Sequence, residues 1–154
     1  MDKPLTSDIL LEFHVPDFTL AKDFYQKLNY EVAWEKPNTG TDNGYLVMRN
    51  GQSILNFYCG NDNVYHHDYF GKFPNTTPRG YGVEIIIPIS DIRSFYTKFR
   101  EIFPKNVVKE LNDKYTKLDF RAVDPFGFYL RFVERYNWVE GRDKKGNHLD
   151  NETV

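Results

Sequence analysis

Cysteine is nearly missing from this 154-residue chain: Cys59 is the only one. That excludes an internal disulfide and any zinc site built from cysteine alone. No stretch approaches the roughly 18 uninterrupted apolar residues of a membrane-spanning helix. The opening Met1-Asp2-Lys3-Pro4 has none of the apolar character of a signal peptide, so a soluble cytoplasmic protein with no membrane partner is the expectation. Neither sign of charge is in excess. Twenty Lys plus Arg face 22 Asp plus Glu, a formal charge of -2, which argues against a dedicated nucleic-acid binder. The nucleotide signatures G-x-G-x-x-G and G-x-x-x-x-G-K-[ST] are absent, as is the G-x-S-x-G elbow. Ser7, Ser53, Ser90 and Ser94 show no activating neighbour in the sequence.

What the chain does have is apolar and aromatic material, 40% and 17% of its residues, enough for a sizeable core. Residues 9–15 (ILLEFHV) read as a buried strand. Ile9, Leu11, Phe13 and Val15 share one face, and Leu10, Glu12 and His14 the other. Pro16-Asp17 ends it. The spacing of Leu20, Ala21, Phe24, Tyr25 and Leu28 then predicts a helix over 18–28, with Asp17 as its cap and Asn29 as its stop. Extended segments follow at about 30–35, 44–49 and 53–58. The last two are joined by the hairpin signal Asn50-Gly51, while 36–44 is a connecting loop.

The same order recurs. Residues 81–89 (YGVEIIIPI) predict a strand, Ser90-Asp91 a cap, and Ile92, Phe95, Tyr96 and Phe99 a helical stripe. Strands follow at about 106–110, 118–123 and 128–133, with Asp124-Pro125-Phe126-Gly127 as the final turn. Phe24-Tyr25-Gln26-Lys27-Leu28 parallels Phe95-Tyr96-Thr97-Lys98-Phe99, although the aspartate lies three residues closer to the aromatic pair in the second half. Leu55-Asn56-Phe57 parallels Leu130-Arg131-Phe132. Matching elements in matching order point to duplication. The reading is therefore an α+β chain with module one at about 8–59, a linker at about 60–80, module two at about 81–134 and a polar tail over 135–154, which Trp138 pins at its start.

The segments HVPDFTLAKDFYQKLNYEV (14–32), ILNFY (54–58), IIIPISDIRSFYTKF (85–99) and DPFGFYLRFVE (124–134) resemble the vicinal oxygen chelate superfamily. Its members include glyoxalase I, the fosfomycin resistance proteins, extradiol dioxygenases and the bleomycin resistance proteins. The resemblance implies one glyoxalase-like domain of two βαβββ modules forming a curled-sheet cleft, in a homodimer. It also implies where a metal would sit, since metal-using members draw ligands from the opening and closing strands. Those positions correspond here to Leu10, Glu84, Asn56 and Arg131. Only Glu84 is an ordinary ligand: leucine has no donor atom, asparagine's carbonyl is weak, and arginine is a fixed cation. No metal or other cofactor is expected. The resemblance is nearest to the bleomycin resistance type, which sequesters a small organic molecule without chemistry. Phe126 replaces the family's usual polar residue in the last turn, a change expected to alter only the turn surface.

The resemblance and the strand register together nominate a ligand-binding set. Leu10, Glu12 and His14 come from the first strand, and Ile54, Asn56 and Tyr58 from its closing strand. Glu84 and Ile86, with Tyr129, Arg131 and Val133, come from the second module. Trp34, Phe70 and Phe73 are further candidates for a ligand entrance, with core packing as the plainer role of Trp34. Tyr58 and Tyr129 suit stacking, and Glu12 or Glu84 suits a cation. The structural alternative for Glu84 is an ion pair with Arg131, because a carboxylate inside a strand such as VEIII is costly unless paired. Arg131 itself suits anion recognition. His14 has no acid partner evident in the sequence and reads as a core or rim residue rather than a catalytic base. His66-His67-Asp68 lacks zinc spacing and reads as linker or dimer contact. The rivals are a metal-dependent enzyme using Glu12, His14 and Glu84, and a non-catalytic protein-interaction module.

Overall fold

The computed structural model describes residues 9–112 and 118–136. Trp138 and most of the polar tail lie outside them. The chain divides into two compact units, Met1–Thr77 and Pro78–Val154. In the first, β1 (Leu11–Val15) leads to α1 (Phe18–Gln26), then β2 (Glu31–Lys36), β3 (Gly44–Asn50) and β4 (Ser53–Cys59). In the second, β5 (Ile85–Ile89), α2 (Ile92–Ile102), β6 (Val107–Asn112), β7 (Asp119–Val123) and β8 (Tyr129–Glu134) follow the same order. Each unit is a βαβββ module with a mixed four-stranded sheet, ordered β1-β4-β3-β2 and β5-β8-β7-β6.

The expectation of a curled-sheet cleft is overturned. Each sheet is open, with β1 and β2 as the edges of one and β5 and β6 as the edges of the other. Closing a sheet requires its edge strands to pair, and closed barrels use more strands than the four available in a module. What the modules share is pairing: the opening strand joins the closing strand in parallel, and the remaining contacts are antiparallel.

Both helices start alike. Asp17 Oδ1 accepts from the Leu20 amide at 3.1 Å and Asp91 Oδ1 from the Ser94 amide at 3.2 Å, each satisfying an amide that has no partner inside its helix. Counting from these caps shows which residues are structurally equivalent. Tyr25 lies eight residues past Asp17 and Phe99 eight past Asp91. Tyr25 packs on Phe57 and Phe99 on Phe132, each with ring centroids 5.4 Å apart. The Phe-Tyr sequence match is thus one helical turn out of structural register, because the helix face that must meet the closing strand is fixed by the cap.

Two boundaries move. β1 begins at Leu11, leaving Ile9 and Leu10 exposed before it. β5 begins at Ile85 rather than Tyr81, because Val83 N–H closes a turn onto Gly80 C=O and Gly82 holds a φ of +80°, which breaks an extended run. The β3–β4 hairpin pairs Asn50 with Ser53, so its loop is Gly51-Gln52. Glycine at φ +59° in the first central position is the type II′ arrangement, one residue later than Asn50-Gly51 suggests. Phe126 does more than change a turn surface: its ring is buried, and Asp124 Oδ1 accepts from the Phe126 and Phe128 amides at 2.9 Å each.

Removing the first cap by Asp17→Ala should lower stability by about 1 kcal/mol. Removing the packing partner of α2 by Phe132→Ala should cost about 3–5 kcal/mol. Urea denaturation of each variant checks that order, and a cap loss equal to the core loss would contradict it.

Candidate functional site

Each sheet buries one face under its own helix, and the other face carries the polar and aromatic side chains nominated from the sequence. On the β1-β4-β3-β2 sheet that second face is set by register. Glu12 lies opposite Asn56 and His14 opposite Tyr58. Tyr58 lies opposite Tyr45, Asn56 opposite Val47, and Val47 opposite Trp34. Directly paired residues point the same way, so one register row runs Trp34, Val47, Asn56, Glu12 and the next runs Tyr45, Tyr58, His14.

The Glu12 carboxylate joins the two rows. Tyr45 Oη donates to its Oε2 at 2.7 Å, and His14 Nε2 stands 3.1 Å from its Oε1. The acid partner of His14, not recognised as such in the sequence, is therefore its neighbour two residues earlier on the same strand face. Burial is the main cause lowering the His14 pKa below 6.5. Glu12 opposes that shift, and the nearby His67 adds to it. Burial first, and then the bond to Glu12, push the Tyr45 phenol up to about 12, so it stays a donor. The rings continue the surface: His14 to Tyr58 is 4.9 Å, Tyr45 to Tyr58 is 6.5 Å and Trp34 to Tyr45 is 6.3 Å. Trp34 is 56% exposed, so it is not a core residue.

Residues 60–77 belong to the first unit and form two short 3₁₀ turns, Asp62–His66 and Phe70–Lys72. They bring in His67, expected as a linker or dimer contact, and Phe70, expected at a ligand entrance. His67 meets His14 edge-on at 4.9 Å, and Phe70 meets it at 5.0 Å. His67 Nδ1 accepts from the Tyr69 and Phe70 amides at 3.1 Å each, so that nitrogen is engaged in shaping the loop. Tyr45 was legible as a hairpin partner of Tyr58, whereas His67 and Phe70 left no periodic signal. Cys59 is fully buried, with Sγ 3.1 Å from Asn61 Oδ1.

On the β5-β8-β7-β6 sheet the ion pairing differs from expectation. Glu84 is exposed and bonds Arg121 Nε at 3.0 Å, not Arg131. Arg131 Nε instead donates to Asp119 Oδ2 at 2.8 Å, and Arg121 Nη1 reaches the same oxygen at 3.2 Å. Register explains the exchange. Parallel pairing sets Ile86 beside Arg131, leaving Glu84 outside the ladder, and Arg121 directly opposite Arg131 needs Asp119 between them. The Arg121 pKa is raised: burial lowers it, but the bond to Glu84 and the charge of Asp119 outweigh that. Tyr129 is half-buried on the same face, and Ile86 is exposed.

The metal positions implied by the resemblance do not fit a metal. Leu10 carries no donor, Asn56 spends its amide on Leu11 C=O at 3.0 Å, Glu84 is bound to Arg121, and Arg131 is a cation. Among the described residues, no group of three or more His, Cys, Asp or Glu side chains could hold a metal ion. Nor, among them, is any helix long and apolar enough to cross a membrane.

Solved structures match this arrangement. TioX from Micromonospora sp. ML1 is 17% identical, with a TM-score of 0.58, covering 85% of this chain and 98% of that one. The glyoxalase family protein from Enterococcus faecalis is 18% identical, with a TM-score of 0.59, covering 84% and 98%. The bleomycin resistance determinant encoded on the transposon Tn5 is 15% identical, with a TM-score of 0.55, covering 86% and 100%. The chain shares their fold. At such identities the likeness extends no further than that fold. No protein-family model matches the sequence, and no curated protein matches it significantly.

The depressed His14 pKa has a directional consequence. As pH falls through 6.5, the unfolded chain takes up the His14 proton before the folded chain does. Stability is therefore unaffected by His14 at higher pH and is lost as pH falls from 6.5 through the native value. Urea denaturation between pH 7.5 and 5 should show that slope, reduced in His14→Gln. An identical slope in the variant would refute it.

Proposed function

We propose that the chain is a vicinal oxygen chelate superfamily protein of the bleomycin-resistance type. In this reading it is a cytoplasmic homodimer that binds a small organic molecule without a metal and protects by sequestration. The observation that carries it is the face of the first sheet turned away from α1. Trp34, Tyr45 and Tyr58 line it up to Glu12 and His14, a surface that offers flat apolar area and one hydrogen-bonded carboxylate. Ring faces with few, well-placed polar groups suit an aromatic or planar ligand, and an adjoining carboxylate favours one bearing a positive charge. Leu10, exposed just before β1, belongs to the proposed ligand surface, while Ile86 and Tyr129 lie on the corresponding face of the second sheet. Asn56, held to the backbone, positions β4 rather than contacting ligand.

The fold likeness supports the superfamily, and the donor chemistry at Leu10, Asn56, Glu84 and Arg131 supports binding without a metal. The metal-dependent rival gains nothing from Glu12 and His14, which bond each other, or from Glu84, which bonds Arg121.

A native mass spectrum of protein purified without added metal should show a metal-free dimer. Titration with proflavine, a planar aromatic cation, should then give saturable binding that Trp34→Ala weakens roughly 3–10-fold, the scale of one ring contact at ~0.5–1.5 kcal/mol. One transition metal per subunit, lost in Glu12→Ala, would overturn the reading. So would proflavine binding indifferent to Trp34.

A further inference from the structure

Cap-based equivalence shows how differently the two modules furnish the same sheet face. The row Trp34, Val47, Asn56, Glu12 in the first sheet corresponds to Lys109, Arg121, Arg131, Ile86 in the second, by identical strand pairings. The fold therefore does not require cations there, since the first module is built without them. In the second, three cations lie in one register across β6, β7 and β8. Like charges directly opposite one another destabilise a sheet. Among the described residues, two carboxylates answer the three cations: Asp119, shared by both guanidiniums, and Glu84 on Arg121.

The arginines are held by their inner edges. Arg131 spends only Nε on Asp119, and Arg121 spends Nε and Nη1. Among the described residues, both terminal nitrogens of Arg131, Nη2 of Arg121 and the Lys109 ammonium donate to nothing. The two arginine side chains are 20% and 17% exposed, and none of these undonated nitrogens is fully buried, so they are open to a ligand. Tyr129, two residues before Arg131 on the same strand face, places a ring beside this set.

We propose that Lys109, Arg121 and Arg131 form a binding site for an oxyanion, the carboxylate or phosphoryl group of a small molecule. Arg131 supplies a two-nitrogen fork, Arg121 one further donor and Lys109 the outlying charge. Asp119 fixes the fork's direction without occupying it, and charge-assisted bonds to a planar or tetrahedral oxyanion complete the row. The inference goes beyond the function proposed above, since it uses only the second module and needs neither the ring row nor sequestration.

Calorimetric titration with benzoate, phenylphosphonate and inorganic phosphate tests it, with uncharged benzamide as control. At least one oxyanion should bind saturably, more weakly as salt rises, while benzamide does not. Binding of phosphate alone would assign an inorganic anion, and binding of benzoate or phenylphosphonate an organic acid. Arg131→Lys, which keeps the charge but loses the fork, should weaken binding tenfold or more. Lys109→Gln, at an exposed edge-strand position, should weaken it about threefold while leaving the fold and proflavine binding intact. No saturable oxyanion binding at millimolar concentration, equal binding of benzamide, or affinity unchanged in both variants would overturn the proposal.

Discussion

The parallel pairing of each module's opening strand with its closing strand is the constraint from which the sites follow. Antiparallel neighbours can be joined by a two-residue loop, but a parallel pair needs a crossover. Here the crossover is a capped helix and two further strands. Once β1 lies beside β4, Glu12 must stand next to Asn56 and His14 next to Tyr58. Once β5 lies beside β8, Ile86 takes the place beside Arg131 and Glu84 falls short of the ladder. The side chains available for chemistry are the ones this pairing leaves on the face without a helix.

That dependence also explains what could be read from the sequence. The βαβββ repeat was legible because alternation, helical stripes and caps are local signals, and Asp17 and Asp91 cap as their positions suggest. The late start of β5 was not, because a glycine turn over 80–83 competes with an apolar run that looks continuous. The Phe-Tyr match misaligned the helices because composition repeats while the packed face is set by distance from the cap. A curled sheet came with the family resemblance and is absent from the open sheets of each module.

The site was legible in part. Alternation placed Glu12, His14, Tyr58, Tyr129 and Arg131 on the face away from the helices. Apart from Glu12 and His14, which meet along one strand, it could not pair them, because pairing depends on the neighbouring strand. Glu84 found Arg121 and Arg131 found Asp119 through registers that no single strand encodes. Tyr45, His67 and Phe70 joined His14 and Glu12 from a hairpin partner and an irregular segment. Trp34, a bulky aromatic in a strand, reads as core until its edge position in β2 is known.

The two faces of each sheet also answer to different physical constraints. Under the helices, Tyr25 on Phe57 and Phe99 on Phe132 repeat nearly the same contact, because a close-packed interior tolerates little change in volume. On the opposite faces the repeats have lost their likeness, with a tryptophan answering a lysine and a valine answering an arginine. A duplicated sheet of this kind works as a common chassis carrying two independently editable surfaces. One copy can acquire a new recognition chemistry while the other keeps the old, and neither change passes through the core.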